Sequence, residues 1–326
     1  MKAIFFVATI AVLTCSAQQQ QGAPGQAQAP SNGAQGQNRA SQANDPNRPR
    51  ELQSNDRMGI DIDRYVGNPF SSVAKVTHEV MLTRSILRAG DPHAPGDPGA
   101  VLEYRKDFAL ATLMPKNRTP LVELPVEQIF YVESGEGRLD DGSQYWDLHE
   151  GIAILIPPSA SHRISNTSDK PLNMLMLSWE SPAGVTPRKT ILVRDVSMLP
   201  FAEKNAHWSY MAKNVFHPSD GLHPNEKVLV VYVSPMSMGA PHAHPPHWEE
   251  VWTNIGPGDS FMQIGSEIRD MPANTAMIAP PNGQTVHSVL NMTRDKVQAF
   301  FYFARYTTPA PSNFKDEASV TGKPLH

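Results

Sequence analysis

Residues 152–179 read IAILIPPSASHRISNTSDKPLNMLMLSW, and residues 275–305 read TAMIAPPNGQTVHSVLNMTRDKVQAFFYFAR. Each runs through a short apolar segment, a Pro-Pro corner, a histidine, an asparagine four residues on, an Asp-Lys turn and a closing apolar segment. One ordered string met twice in a chain marks an internal duplication. A second correspondence lies upstream of each copy, EQIFYV from Glu127 and EEVWTN from Glu249. The chain therefore reads as two copies of one domain, 58–185 and 186–306, with a tail at 307–326.

The apolar segments are short and split by Pro, Gly, Asp and Asn: Phe108–Leu113, Gln128–Glu133, Ile152–Ile156, Leu172–Trp179, Val228–Ser234, Val251–Ile255, Ala276–Ile278 and Val297–Ala304. Segments of this length between turn residues are strands, and no long amphipathic helical pattern competes with them. With 30 prolines and 21 glycines in 326 residues, the composition also favours turns over long helices. The fold class expected is all-β, a sandwich or barrel for each copy. Asp259, Glu267, Arg269 and Asp270 read as a solvated hairpin.

Charge is balanced close to neutrality, 28 basic against 32 acidic residues for a net −4, with no basic block. That argues against nucleic acid or an anionic membrane as a partner. Residues 1–17 read as an export signal, with Lys2 ahead of an apolar run from Ala3 to Leu13 and the small residues Cys15-Ser16-Ala17 at the cleavage point. The run is too short to span a bilayer, so a secreted or periplasmic protein without a membrane span is expected. Cys15 is the sole cysteine, and cleavage after Ala17 removes it, excluding disulfide and thiolate chemistry. Thr14 fits poorly before a lipidated cysteine, which leaves attachment through Cys15 a minor alternative. Residues 18–57 are rich in Gln, Ala, Pro and Gly without apolar periodicity and read as a disordered linker.

These motifs resemble the cupin superfamily, whose first motif has the form G-x5-H-x-H-x(3,4)-E-x6-G and whose second has the form G-x5-P-x-G-x2-H-x3-N. In the second copy His242, His244, Glu249 and Gly256 follow the first pattern, and His287 with Asn291 ends the second. In the first copy Gly151, Pro157, His162 and Asn166 match the second motif, with Ser159 in place of its glycine. Pro281 and Gly283 stand one residue further from His287 than the pattern has it. The resemblance covers residues 70–306 and implies two double-stranded β-helix (jelly-roll) barrels in tandem, resembling oxalate decarboxylase and quercetinase-type bicupins.

It also implies a metal site in the second copy. On an extended strand His242 and His244 share a face, and His287 comes from a strand distant in sequence. Three imidazoles and one carboxylate suit a divalent first-row ion such as Mn, Fe, Cu, Ni or Zn. The motif count selects Glu249 as the acid, ligand and proton carrier, leaving Val251, Thr253 and Ile255 as barrel lining. Alignment with Glu127-Gln128 of the first copy selects Glu250 instead. His247 reads as an exposed turn residue or a group supporting the site. Phe300, Tyr302, Arg305, Trp248 and Trp252 are candidates for the pocket wall.

In the first copy the equivalent positions read as Leu121, Glu123 and Gln128, leaving His162 alone and that barrel without a metal. Asn117, Asn166 and Asn291 begin formal glycosylation sequons. By resemblance the chain is a metal-dependent oxidoreductase or lyase cleaving a small oxygenated substrate, as a dioxygenase or decarboxylase does. Alternatives are a redox-neutral isomerase or lyase on uronates and a non-enzymatic binding or storage protein. Association into a homo-oligomer is a further expectation from the superfamily.

Overall fold

All eight segments named above are strands in the computed structural model, which describes residues 60–202, 209–258 and 260–307. Ile152–Ile156, Leu172–Trp179 and Ala276–Ile278 have the expected bounds, and the rest move by one or two residues. The strands form four sheets, paired antiparallel except where Ala100–Leu102 runs parallel to Met81–Ala89. The expected export signal and linker, and the tail from residue 308, lie outside the described residues. No helix among the described residues is long and apolar enough to cross a membrane.

Each copy pairs a long sheet with a short one. In the first, the central strands run Ile152–Ile156, Glu127–Ser134, Leu172–Trp179, Asp107–Leu113 and Met81–Ala89, opposite a sheet of Arg163–Asn166, Gly137–Asp140 and Tyr145–Leu148. In the second, the order is Ala276–Ile278, Glu249–Asn254, Gln298–Arg305, Glu226–Val233 and Tyr210–Phe216. Its short sheet holds Ser237–Met238, His287–Asn291, Ser260–Ile264 and Glu267–Met271, the last two being the expected hairpin.

The long strands are buried on both faces, which explains why they read as unbroken apolar runs. Phe130 and Val132 point into the first barrel, whereas Ile129 and Tyr131 point into a layer shared with the second. Likewise Trp252 points into the second barrel and Val251 into the shared layer. Phe108, Phe301 and Phe303 pack within that layer, Phe108 meeting Phe303 edge to face at 5.1 Å between ring centres.

Two strands cross between the halves. Val66–Gly67 pairs with Ala276 and Met277, so a segment of the first copy lies at the edge of the second copy's long sheet. Leu192–Asp195 pairs with Ile152–Leu155 and extends the first copy's sheet. Gly67 must be glycine: a Cβ there would sit 1.8 Å from the carbonyl oxygen of Ile86.

The asparagine shared by the two copies has the same wiring in both. Asn166 Nδ2 donates to Leu113 O and Lys170 O, and Asn291 Nδ2 donates to Val233 O and Lys296 O. Their Oδ1 atoms accept from Ser168 N and Thr293 N. The residue thus ties the Asp-Lys turn to the neighbouring strand. Both side chains are buried with their amides engaged, which removes Asn166 and Asn291 as glycosylation sites.

Candidate metal centre

His242, His244, His287 and Glu250 bring one donor atom each to within 4.8 Å of one another, and all but His242 are buried. The elements that carry them explain the convergence. His242 and His287 face each other across an antiparallel bridge, with N–H···O distances of 3.3 and 2.9 Å. His244 follows two residues later on the same face, and its carbonyl accepts from Gly283 N at 2.8 Å, tying the chain to the corner before His287. Glu250 stands near the start of Glu249–Asn254, the strand beside Gln298–Arg305.

The acid differs from the residue the motif count selects. Glu250 Oε2 lies 2.8 Å from His244 Nε2, and Glu250 Oε1 lies 2.9 Å from His287 Nε2. Glu249 faces the opposite way, into the layer between the barrels. Its Oε2 accepts from Tyr104 N at 2.9 Å, and its Oε1 is 4.0 Å from Arg105 Nη1. Strand alternation is the physical reason: Glu250 and Trp252 share the barrel interior, and Glu249 and Val251 share the outer layer. Val251 therefore does not line the second barrel, and Glu249, which the motif count selects, stands outside this cluster.

A shell of polar side chains fixes Glu250. Trp252 Nε1 donates to its Oε1 at 2.7 Å, and Tyr302 OH donates to its Oε2 at 2.8 Å. Tyr306 OH is 2.6 Å from Tyr302 OH. Burial works against a charge on Glu250, but the adjacent His244 and His287 outweigh it and hold the carboxyl well below its usual range. Burial pushes the Tyr302 hydroxyl up, and the Glu250 charge pushes it further, so Tyr302 stays a donor. Burial also lowers His287, against the pull of Glu250, favouring a neutral imidazole. Of the other wall candidates, Trp248 packs at a tilt 4.4 Å from Tyr306 between ring centres, Phe300 lies in the barrel core, and Arg305 covers the Tyr104 ring instead.

These residues fit a metal ion. His242 Nδ1 lies 2.9 Å from Ala240 O, the bond that leaves Nε2 as the lone-pair nitrogen. His287 Nδ1 is buried without a hydrogen-bond partner among the described residues, and His244 Nε2 has no partner there beyond the Glu250 carboxylate. Buried imidazole nitrogens in that condition, beside an ionised carboxylate, are a donor set for a first-row divalent ion.

The first barrel keeps the frame and loses the donors. Val122 bridges His162 as His242 bridges His287, and Leu124 O accepts from Ser159 N as His244 O accepts from Gly283 N. The equivalents of the two histidines are therefore Val122 and Leu124, not Leu121 and Glu123; a shorter turn before Glu127 displaces the count. Gln128 takes the place of Glu250. Sequence reasoning missed His78, which reaches in to lie 3.3 Å from Gln128 Oε1 and 5.5 Å, ring to ring, from His162. It occupies a left-handed turn outside both repeated strings, where nothing in its neighbourhood singles it out.

Residues 109–178 match the cupin domain family. Among solved structures the chain is similar to a putative glyoxylate-induced protein from Pseudomonas aeruginosa, at 15% identity and TM-score 0.58, over 73% of this chain and 86% of that one. It is also similar to a point variant of oxalate decarboxylase from Bacillus subtilis, at 14% identity and TM-score 0.54, over 80% and 85%. A 7S globulin from Momordica charantia matches at 11% identity and TM-score 0.53, over 75% and 85%. No curated protein matches the sequence. The cupin domain match lies within the first barrel, and the solved structures share the fold of this chain.

Proposed function

We propose that this is an exported, metal-dependent cupin enzyme that acts on a small oxygenated molecule by decarboxylase- or dioxygenase-type C–C cleavage. The observation that carries the reading is the convergence of His242, His244 and His287 on the buried carboxylate of Glu250. A divalent ion held there would supply a Lewis-acidic position for a substrate carboxylate or enolate oxygen. The chain's own contributions follow from the geometry. Tyr302 and Trp252 hold Glu250 in one orientation, and both belong to the buried apolar cluster that includes Met262, Ile264, Val289 and Phe300. Trp248 Nε1 is buried without a partner among the described residues, a donor available to a ligand oxygen beside His244. Oxalate decarboxylase among the fold relatives is consistent with the C–C cleavage class.

The test is metal analysis of the purified protein, then turnover of oxalate, flavonols and unsaturated uronates with and without dioxygen. Retained manganese, iron, copper or nickel with cleavage of oxalate or a flavonol supports the proposal, provided H242A abolishes it. Zinc with anaerobic turnover of a uronate replaces it with a redox-neutral isomerase or lyase. One observation favours a non-catalytic binder: the first barrel has exchanged its donors for Val122, Leu124 and Gln128 and keeps its shape. Absence of metal retention and of turnover across the panel selects that reading.

A further inference from the structure

We propose that His93, Glu103 and His247 form a second divalent metal site, separate from the buried centre, on the outer side of the turn that carries His244. Each offers one donor atom, and the three atoms lie within 4.8 Å of one another. Ligand atoms about 2.0–2.2 Å from a common ion fall within that span of each other. Two imidazoles and one carboxylate select zinc, nickel, copper or a similar first-row ion over calcium or magnesium, which take oxygen ligands.

The interactions of Glu103 argue for a cation beyond the hydrogen bonds present. Its Oε1 is 2.8 Å from His247 Nδ1, a good pairing. Its Oε2 is shielded from water with no hydrogen-bond partner among the described residues, and His93 Nε2 stands 3.7 Å away, beyond hydrogen-bond reach. A carboxylate oxygen left unpaired in that way is costly, and an ion between it and the two imidazoles would satisfy it. The imidazole rings are 4.5 Å apart between centres, close enough for both to reach one ion.

The donors are also held in place before any ion arrives. His93 sits in the segment DPHAPGDPG, stiffened by three prolines; its N–H donates to Asp91 Oδ1 at 2.8 Å, and Tyr65 OH fastens Pro92 O at 2.9 Å. Tyr104 OH donates to His247 O at 3.0 Å, holding a residue whose φ of 66° is unusual outside glycine. Tyr104 N meanwhile binds Glu249, so the strand before Glu103 and the strand after His247 are already joined. An ion here would clamp the loop around His93 to the turn bearing His244 and Trp248.

The experiment is a zinc chloride titration of the metal-free full chain, read as equivalents bound by equilibrium dialysis. Wild type binds two equivalents, H93A/H247A binds one, and H242A/H287A binds one. H93A alone weakens the outer equivalent by about tenfold or more. Cobalt(II) absorption gives a second reading, with one of two visible-band components missing in H93A/H247A. His93 and His247 are exposed, so their replacement leaves the fold measurable by circular dichroism. The proposal is overturned if H93A/H247A binds as many equivalents as wild type. A buried equivalent missing from wild type, with the outer one present, defeats the proposed function and spares this site.

Discussion

Glu249 and Glu250 are adjacent in the chain and lie on opposite faces of one strand, Glu250 against His244 at 2.8 Å and Glu249 against the backbone N–H of Tyr104 at 2.9 Å. The first belongs to the seam between barrels and the second to the histidine cluster of the second barrel. Burial pushes the Glu249 carboxyl up, against the opposing charge of Arg105, as expected of a group enclosed in that seam.

Exchanging the two acids separately should split metal binding from stability. E250A is expected to weaken metal binding by more than about 100-fold, beyond the loss typical of a residue that only supports a ligand. E249A is expected to keep the metal and lose on the order of 3 kcal/mol of stability, because Arg105 and Tyr104 N then face a buried gap. Metal stoichiometry and urea denaturation of both variants check this. Metal loss in E249A with retention in E250A would reverse the assignment.

Tyr302 supports Glu250 without belonging to the donor set. Y302F removes one hydrogen bond at 2.8 Å and is expected to weaken metal affinity about 10–100-fold with the fold intact. Competition with a chelator of known affinity measures it. An unchanged affinity would mean that Trp252 and Tyr306 orient the carboxylate without Tyr302.

Arg105 carries the electrostatics of the seam. It is fully buried, hydrogen-bonded to Glu226, and stacked 4.8 Å above the Trp179 ring. R105A leaves a buried carboxylate without its cation and is expected to cost about 3–5 kcal/mol. R105M/E226L, which removes both charges, is expected to recover most of it. Urea midpoints of the single and double variants decide the point.

His78 makes the first barrel sensitive to acid. Burial, with the neighbouring His162 adding to it, lowers the imidazole from 6.5 to about 4. The unfolded chain then takes up the proton first, so the contribution to stability is complete above about pH 6.5 and is lost as the pH falls toward 4. Between pH 7 and pH 5 the loss amounts to about 2 kcal/mol. H78N, which tolerates the left-handed backbone, should flatten the pH dependence of the denaturation midpoint by about that amount. An identical slope in both proteins would show that His78 does not remain neutral.

Much of this was readable from the residues because the duplication exposes it. The matched strings at 152–179 and 275–305 fix the barrel pair, and His242, His244 and His287 converge as the motif spacing implies. The acid was not decidable by periodicity: every residue of Glu249–Asn254 is buried, so neither face shows a polar alternation. Alignment with Glu127-Gln128 carried the better signal, because Glu127 and Glu249 pair with the last residue of the equivalent strands, Trp179 and Arg305. His78, Arg105 and the His93–Glu103–His247 cluster depend on contacts between segments far apart in sequence, which no local pattern encodes.

The exchanged edges at Val66–Gly67 and Leu192–Asp195 bear on how such a duplication ages. Cutting the chain near residue 185 would strip each half of a border strand and leave an adhesive flank open to foreign β-structure. A half that has surrendered its ion donors thus cannot be discarded by evolution without crippling its sibling, which gives the silent barrel a reason to persist.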